Sequence, residues 1–258
     1  SGHVRIYAYN GSSWNQLGND IDGEAVGDES GFSVSLSSDG NTVAIGARYN
    51  DGNGSNSGHV RIYTYNGSFW NQLGNDIDGE YSGDWSGYSV CLSSDGNTVA
   101  IGALGNDGNG INAGHVKIYS FNGTWIQIGQ DIDGEAAGDE SGVSVSLSSD
   151  GGTVAIGARL NDGNGSSSGH VRIYAYNGSS WNQIGNDIDG ESAYDQSGIS
   201  VSLSSDGNTV AIGAYKNDGN GSDAGHVRIY ENVGGFWTQI GNDIDGEAAD
   251  DYSGVSVS

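Results

Sequence analysis

Apolar and polar residues alternate with a period of two along much of the chain. In Ser33-Val-Ser-Leu-Ser37 and Thr42-Val-Ala-Ile-Gly-Ala47, the side chains of Val34, Leu36, Val43 and Ile45 share one face. Ser33, Ser35, Ala44 and Gly46 share the other. Alternation of this kind predicts β-strands. A third strand is predicted over His59 to Tyr65 and a fourth over about Phe69 to Ile77, with Trp70 near its start. Asp39-Gly40 joins the first two strands and Asn66-Gly67 the last two. Both dipeptides suit tight hairpins, because their residues accept positive φ. The connections near residues 50–57 and 78–86 are longer. No stretch of ten residues shows a 3.6 period, so no helix is expected.

This four-strand pattern recurs. Gly-His-Val-Arg/Lys-Ile-Tyr begins at Gly2, Gly58, Gly114, Gly169 and Gly225, in steps of 56, 56, 55 and 56 residues. Ile-Asp-Gly-Glu begins at Ile21, Ile77, Ile132, Ile188 and Ile244. Thr-Val-Ala-Ile-Gly-Ala begins at Thr42, Thr98, Thr153 and Thr209. A lone four-stranded meander with one bulky face cannot bury that face. Stacked copies can, with the Val/Leu/Ile face of one unit on the Ser/Ala/Gly face of the next. Four-stranded repeats of this kind are the signature of propeller blades. The expected fold is therefore all-β, a β-propeller of four-stranded antiparallel blades. A linear stack of the same units is the competing arrangement. The expected divisions are a partial blade at 1–31, full repeats at about 32–87, 88–142, 143–198 and 199–254, and a lone strand at 255–258. A chain that opens and closes inside a repeat reads as a window on a longer protein, which leaves the blade number open.

Composition narrows the function. Eight basic residues face 33 acidic ones, for a formal charge of −25. Nucleic acid needs a basic patch, which this chain lacks, and an anionic membrane surface would repel it. No apolar run approaches the ~20 residues of a membrane span. The single cysteine, Cys91, sits where other repeats carry Ser35, Ser146 and Ser202, and reads as a small residue in a serine position. No disulfide framework can form within the chain.

The run from Gly31-Phe-Ser-Val-Ser35 through Asn41-Thr-Val-Ala-Ile-Gly-Ala47 to Gly58-His-Val-Arg-Ile-Tyr63 resembles the FG-GAP repeat of integrin-α-type propellers. The resemblance covers essentially the whole chain. It implies a seven-bladed extracellular propeller used for adhesion or recognition. One departure is plain: the family's calcium loop between the first and second strands is reduced here to Ser38-Asp39-Gly40-Asn41, too short for a calcium cage.

Candidate ligands lie in the longer loops, which an up-and-down blade places at one end. Oxygen ligands at alternate positions suggest Ca²⁺ at Asp20, Asp22 and Glu24, again at Asp76, Asp78 and Glu80, and in the later units. A second pattern runs through Asp51 and Asn53, Asp162 and Asn164, and Asp218 and Asn220, and is broken by Ile111 in the second unit. The same Asp-Gly and Asn-Gly pairs also serve as turn formers and solubilising charge, and the spacing admits either reading. Asn-x-Ser/Thr sequons at Asn10, Asn53, Asn66, Asn122, Asn164, Asn177 and Asn220 are glycosylation candidates. Trp14, Trp70, Trp125, Trp181 and Trp237 recur on the fourth strand, either packing at the blade edge or offering a sugar-stacking surface. His3, His59, His115, His170 and His226 share one repeat position, each one blade from the next, which argues for a structural role rather than zinc. Arg5, Arg61, Lys117, Arg172 and Arg228 are expected to pair with a carboxylate or an aromatic ring.

No nucleophile set, phosphate loop or carboxylate pair stands outside the repeat. The expectation is therefore a non-enzyme: a secreted or cell-surface structural or adhesive module, binding protein or glycan at the surface or matrix and open to self-assembly. A calcium-dependent lectin-like propeller is its alternative.

Overall fold

A computed structural model describes all 258 residues and contains strands, turns and no helix. The first strands, β1 (His3–Val4), β2 (Tyr7–Tyr9), β3 (Trp14–Gln16) and β4 (Ile21–Asp22), form a partial unit. The first full unit contains β5 (Ser33–Leu36), β6 (Thr42–Ala47), β7 (His59–Tyr65), β8 (Trp70–Gln72) and β9 (Ile77–Asp78). They pair antiparallel in the order β5-β6-β7-β8, and β9 also pairs with β7. The fourth predicted strand is thus two short strands flanking a break over residues 73–76. This break lifts Asp76 out of the ladder. Sheets spanning residues 89–133, 141–189 and 200–245 repeat the arrangement. Residues 255–258 form no strand.

Neighbouring sheets close on each other as their two unlike faces require. Ala44, Val60, Ile62 and Ile77 of the first full unit form one buried cluster with Val90, Leu92, Val99 and Ile101 of the second. The same combination recurs at the next two junctions. The first strands lie nearest one another, as in a propeller, where they surround the axis. The chain contains an internal control for this packing. Val34 and Leu36, with no first or second strand before them, are 53% and 50% exposed, whereas Val90 and Leu92 are 9% and 6% exposed. Burial is conferred by the neighbour.

Polar contacts fix the spacing. Ser33 Oγ donates to the Gly87 carbonyl of the next unit at 2.7 Å. Leu92 N donates to Ser35 Oγ at 2.9 Å, and Leu203 N to Ser146 Oγ at 2.9 Å. Cys91 fills the same place, its Sγ accepting from Leu147 N at 3.3 Å. Burial pushes its thiol pKa up, so it is a packing residue rather than a reactive one. Gly46, Gly102, Gly157 and Gly213 lie against a carbonyl of the next unit, and a methyl at any of them would overlap that backbone oxygen.

In the hairpin turns, Asp39 Oδ1 accepts from Ser37 Oγ at 2.6 Å and from Asn41 N at 2.9 Å. These bonds favour the carboxylate and hold Asp39 down at about 2, below its ordinary 3.8. Asp150 and Asp206 are lowered in the same way by Ser148 and Ser204.

Two predictions follow from this packing and these turns. Gly102→Ala should destabilise the protein by about 1–3 kcal/mol, because the backbone it would strike cannot move aside; denaturant unfolding measures this. A carboxyl whose folded pKa is depressed stabilises above its unfolded pKa and loses that contribution as pH falls through the folded one. The thermal midpoint should therefore drop between about pH 4 and pH 2, and drop less in the Asp39→Asn/Asp150→Asn/Asp206→Asn variant.

Candidate interblade site

Each junction between units carries one polar cluster, assembled from two sheets. On β7, His59 and Arg61 are two residues apart and project to the same side. Asp76, from the break between β8 and β9, stands beside them. Glu24 arrives from the loop after β4, in the preceding unit. His59 Nδ1 is 3.9 Å from Glu24 Oε2 and 3.8 Å from Asp76 Oδ2. Asp76 is steadied by Gln72, whose Nε2 donates to Oδ1 at 2.5 Å. Arg61 Nη2 donates to the Asp22 carbonyl at 2.7 Å, and Nη1 lies 3.5 Å from Glu24 Oε1. Equivalent clusters are Glu80–His115–Asp131, Glu135–His170–Asp187 and Glu191–His226–Asp243.

The electrostatics follow from depth. His59, His115 and His226 have lowered pKa values, first through burial and then through the neighbouring Arg or Lys. The same causes hold His170 at about 4, so these imidazoles are neutral near pH 7. Burial raises Asp78, Asp189 and Glu135.

The structure redistributes the candidate calcium ligands. Asp76 and Glu80 belong to one short run, yet Asp76 faces His59 of its own unit and Glu80 reaches Lys117 of the next. The alternate spacing of Asp20, Asp22 and Glu24 therefore does not close on a single point. Asp20 is held by Arg5 at 2.8 Å and Asp22 pairs with His3 across the sheet, while Glu24 turns to the next unit. Asp78 pairs with His59 in the same way. In the second pattern, Asp51 Oδ1 accepts from Asn56 N at 2.7 Å, while Asn53 Nδ2 donates to Gly79 O at 2.8 Å and Glu80 O at 3.2 Å. Asp162 and Asn164, and Asp218 and Asn220, repeat these loop bonds. The amide nitrogen that would carry a glycan at Asn53, Asn164 or Asn220 is thus engaged in the fold. At Asn10, Asn66 and Asn177 the side-chain oxygen caps the hairpin turn instead. Asn122 is exposed in the equivalent hairpin turn.

Four tryptophans join units. Trp70, Trp125, Trp181 and Trp237 each donate Nε1–H to a carbonyl of the preceding unit, at Leu17, Leu73, Ile128 and Ile184, over 2.7–2.9 Å. Trp181 is 2% exposed and Trp14 69% exposed. A series of open sugar-stacking faces is therefore corrected to a series of interblade anchors, because the indole edge and much of its ring are taken up by the neighbour.

One-dimensional reading grouped Asp131, Glu135, Asp187, Glu191 and Asp243 with the alternate-spacing carboxylates and gave the histidines a structural role; what it missed is that the two sets converge across each junction. The available signal was that His and Arg alternate on one strand face while an acidic run recurs at the same period.

Grooves open beside the aspartates of several units. One, of about 280 Å³, is lined by Asn75, Asp76, Asp78, Tyr119, Thr124 and Trp125. Its counterpart before it, of about 230 Å³, is lined by Asn19, Asp20, Asp22, Tyr63, Phe69 and Trp70.

Sheets of this order, packed face to face about their first strands, define a β-propeller. The FG-GAP repeat pattern matches residues 20–63, 132–174 and 188–230, together half of the chain, and the chain belongs to the FG-GAP repeat family. No curated protein sequence matches it. Among solved structures, it is similar to a candidate 6-phosphogluconolactonase from Bacteroides uniformis, with a TM-score of 0.64 and 13% identity, over 95% of this chain and 65% of that one. A candidate 6-phosphogluconolactonase from Bacteroides fragilis matches with a TM-score of 0.64 and 13% identity, over 99% and 67%. A periplasmic gluconolactonase from Pseudomonas aeruginosa matches with a TM-score of 0.62 and 14% identity, over 93% and 63%. The chain spans less than two thirds of the first and third of these structures. At this identity the likeness establishes shape. The expectation of a non-catalytic adhesive or structural module, or of a lectin in its place, is corrected to this extent: solved propellers of this shape carry the names of enzymes, so the fold does not mark a non-enzyme. Repetition of a site around a propeller is no argument against chemistry.

The anchors generate a paired prediction. Trp125→Phe removes a buried hydrogen bond and should cost about 1 kcal/mol or somewhat more. Trp14→Phe should change stability by less than about 0.5 kcal/mol. Unfolding of the two variants side by side measures the difference.

Proposed function

We propose that this chain is the blade array of a propeller hydrolase that opens the ring ester of a neutral, sugar-derived lactone in its interblade grooves. The observation that carries this reading is the groove itself, where Asp76 and Asp78 stand opposite the aromatic wall of Tyr119 and Trp125. Carboxylates beside an aromatic wall suit a polyhydroxylated ring, since the carboxylates accept from hydroxyls while the ring's C–H face lies against Tyr119. The propeller shape shared with gluconolactonases supports the same substrate class.

The chemistry asks for little. A water held by the Asp76 carboxylate attacks the lactone carbonyl carbon and gives up a proton. The ring C–O bond breaks, and that proton passes to the departing alkoxide. The product is an open-chain hydroxy acid, which loses its carboxyl proton to solvent; the carboxylate so formed is repelled by a chain of formal charge −25. The same repulsion disfavours a phosphorylated lactone and favours an uncharged one.

Ring opening of D-glucono-1,5-lactone, followed by alkali uptake at constant pH, tests the reading. The expected result is acceleration over the spontaneous rate in proportion to protein, slower with the 6-phosphorylated lactone. Replacing Asp20, Asp76, Asp131, Asp187 and Asp243 together by Asn should reduce the acceleration by about 10²-fold or more. No acceleration with either lactone would refute it.

A further inference from the structure

Three of the four interblade clusters share a feature that the lactone reading does not use. In Glu24–His59–Asp76, Glu135–His170–Asp187 and Glu191–His226–Asp243, the imidazole Nδ1 faces two carboxylate oxygens at 3.7–3.9 Å. These separations are too long for hydrogen bonds. The imidazoles are more than nine-tenths buried. Neither nitrogen of His226, nor Nε2 of His170, has a hydrogen-bond partner. Buried polar atoms are nearly always satisfied, so the orphaned Nδ1 of His226 beside two carboxylates points to something between them, and His59 and His170 present Nδ1 to their carboxylates in the same geometry. The ligand atoms of each cluster all lie within 4.8 Å of one another.

The donor set selects the class of ion. One imidazole nitrogen and two carboxylate oxygens suit a divalent transition metal, whereas Ca²⁺ prefers a cage of oxygens alone. Donors bound tetrahedrally to a zinc-sized ion at about 2.1 Å lie about 3.4 Å apart. Closing the histidine–carboxylate separations from about 3.8 Å asks for a few tenths of an ångström, and the two carboxylates, within 4.8 Å of each other, are partly exposed side chains that can move together. Arg61, Arg172 and Arg228 do not obstruct the site. Each engages the other glutamate oxygen, at 3.5–3.6 Å, and a backbone carbonyl of the preceding unit. The remaining cluster differs. There the Lys117 ammonium itself bridges Glu80 and Asp131, the latter at 3.5 Å, and stands where an ion would sit.

We propose that these three clusters each bind a divalent transition-metal ion of the zinc class. One ligand, the glutamate, comes from one unit and the other two come from the next, so each ion joins neighbouring blades. The Lys117 cluster is plugged by its own side chain. The site stands on the cluster alone and does not depend on the lactone reading.

Calorimetric titration of the chelator-treated protein with Zn²⁺, with Ca²⁺ as control, tests this by binding rather than by activity. The expected stoichiometry is close to three Zn²⁺ per chain, with a rise in thermal midpoint and little response to Ca²⁺. His226→Gln should remove one site, and His59→Gln/His170→Gln/His226→Gln all three. Should that triple variant fail to fold, Glu24→Gln/Glu135→Gln/Glu191→Gln, changed at partly exposed positions, should show the same loss. Lys117→Met should add a fourth site. The proposal is overturned if zinc uptake is the same in these variants as in the parent, which would mark adventitious binding to the acidic surface. It is also overturned if Ca²⁺ binds as well as Zn²⁺, or if no zinc binds.

Discussion

Each sheet of this propeller has one bulky face and one small face, and neither is complete alone. Val90, Leu92, Val99 and Ile101 are buried only because Ala44, Val60 and Ile62 of the preceding unit cover them. Approach that close requires glycine on the second strand, where Gly46 and Gly102 meet a neighbour's carbonyl. The hydrophobic term that drives stacking is proportional to area and does not specify direction. Spacing is set instead by the serine, arginine and tryptophan bonds that cross each junction. Where the neighbour is missing, as around Val34, Leu36 and Trp14, the same residues are left open.

The junction that supplies stability also supplies the site. Glutamate from one unit meets histidine, arginine and aspartate from the next, so every cluster depends on two sheets being held in register. The partial first unit illustrates this. Arg5 lies on Asp20 of its own unit, at 2.8 Å, whereas Arg61 is drawn to Glu24 and the Asp22 carbonyl. One side chain adopts two partnerships according to whether a neighbour is present. The second cluster adds a further variation, since Lys117 reaches both of its carboxylates, Glu80 and Asp131, whereas Arg61 engages only the glutamate of its own cluster, Glu24. A short, compact ammonium and a planar fork are not interchangeable at such a place.

Much of this was legible in one dimension. The alternation of Val34, Leu36, Val43 and Ile45 against Ser33, Ser35, Ala44 and Gly46 identified strands, faces and the need for stacking. The dipeptides Asp39-Gly40 and Asn66-Gly67 located the hairpins. The departure came in the fourth strand, which breaks over residues 73–76 and turns Asp76 toward His59. The spacing of Asp20, Asp22 and Glu24 suggested a single calcium loop. A strand pair intervenes, and sends Asp20 to its own unit and Glu24 to the next. The tryptophan series was visible, but whether an indole is a platform or an anchor depends on which carbonyl lies across the junction.

By itself, the sequence determined the repeat, its strands and turns, and the unlike faces that make neighbours necessary. These are local properties, set by residue type and period along the chain. Only the tertiary structure decided that Glu24, His59 and Asp76 converge and that Lys117 plugs its own cluster. The reason is geometric: those contacts span two sheets, and their distances depend on the rotation between units. Periodicity records that each residue returns, but not which copy it will face.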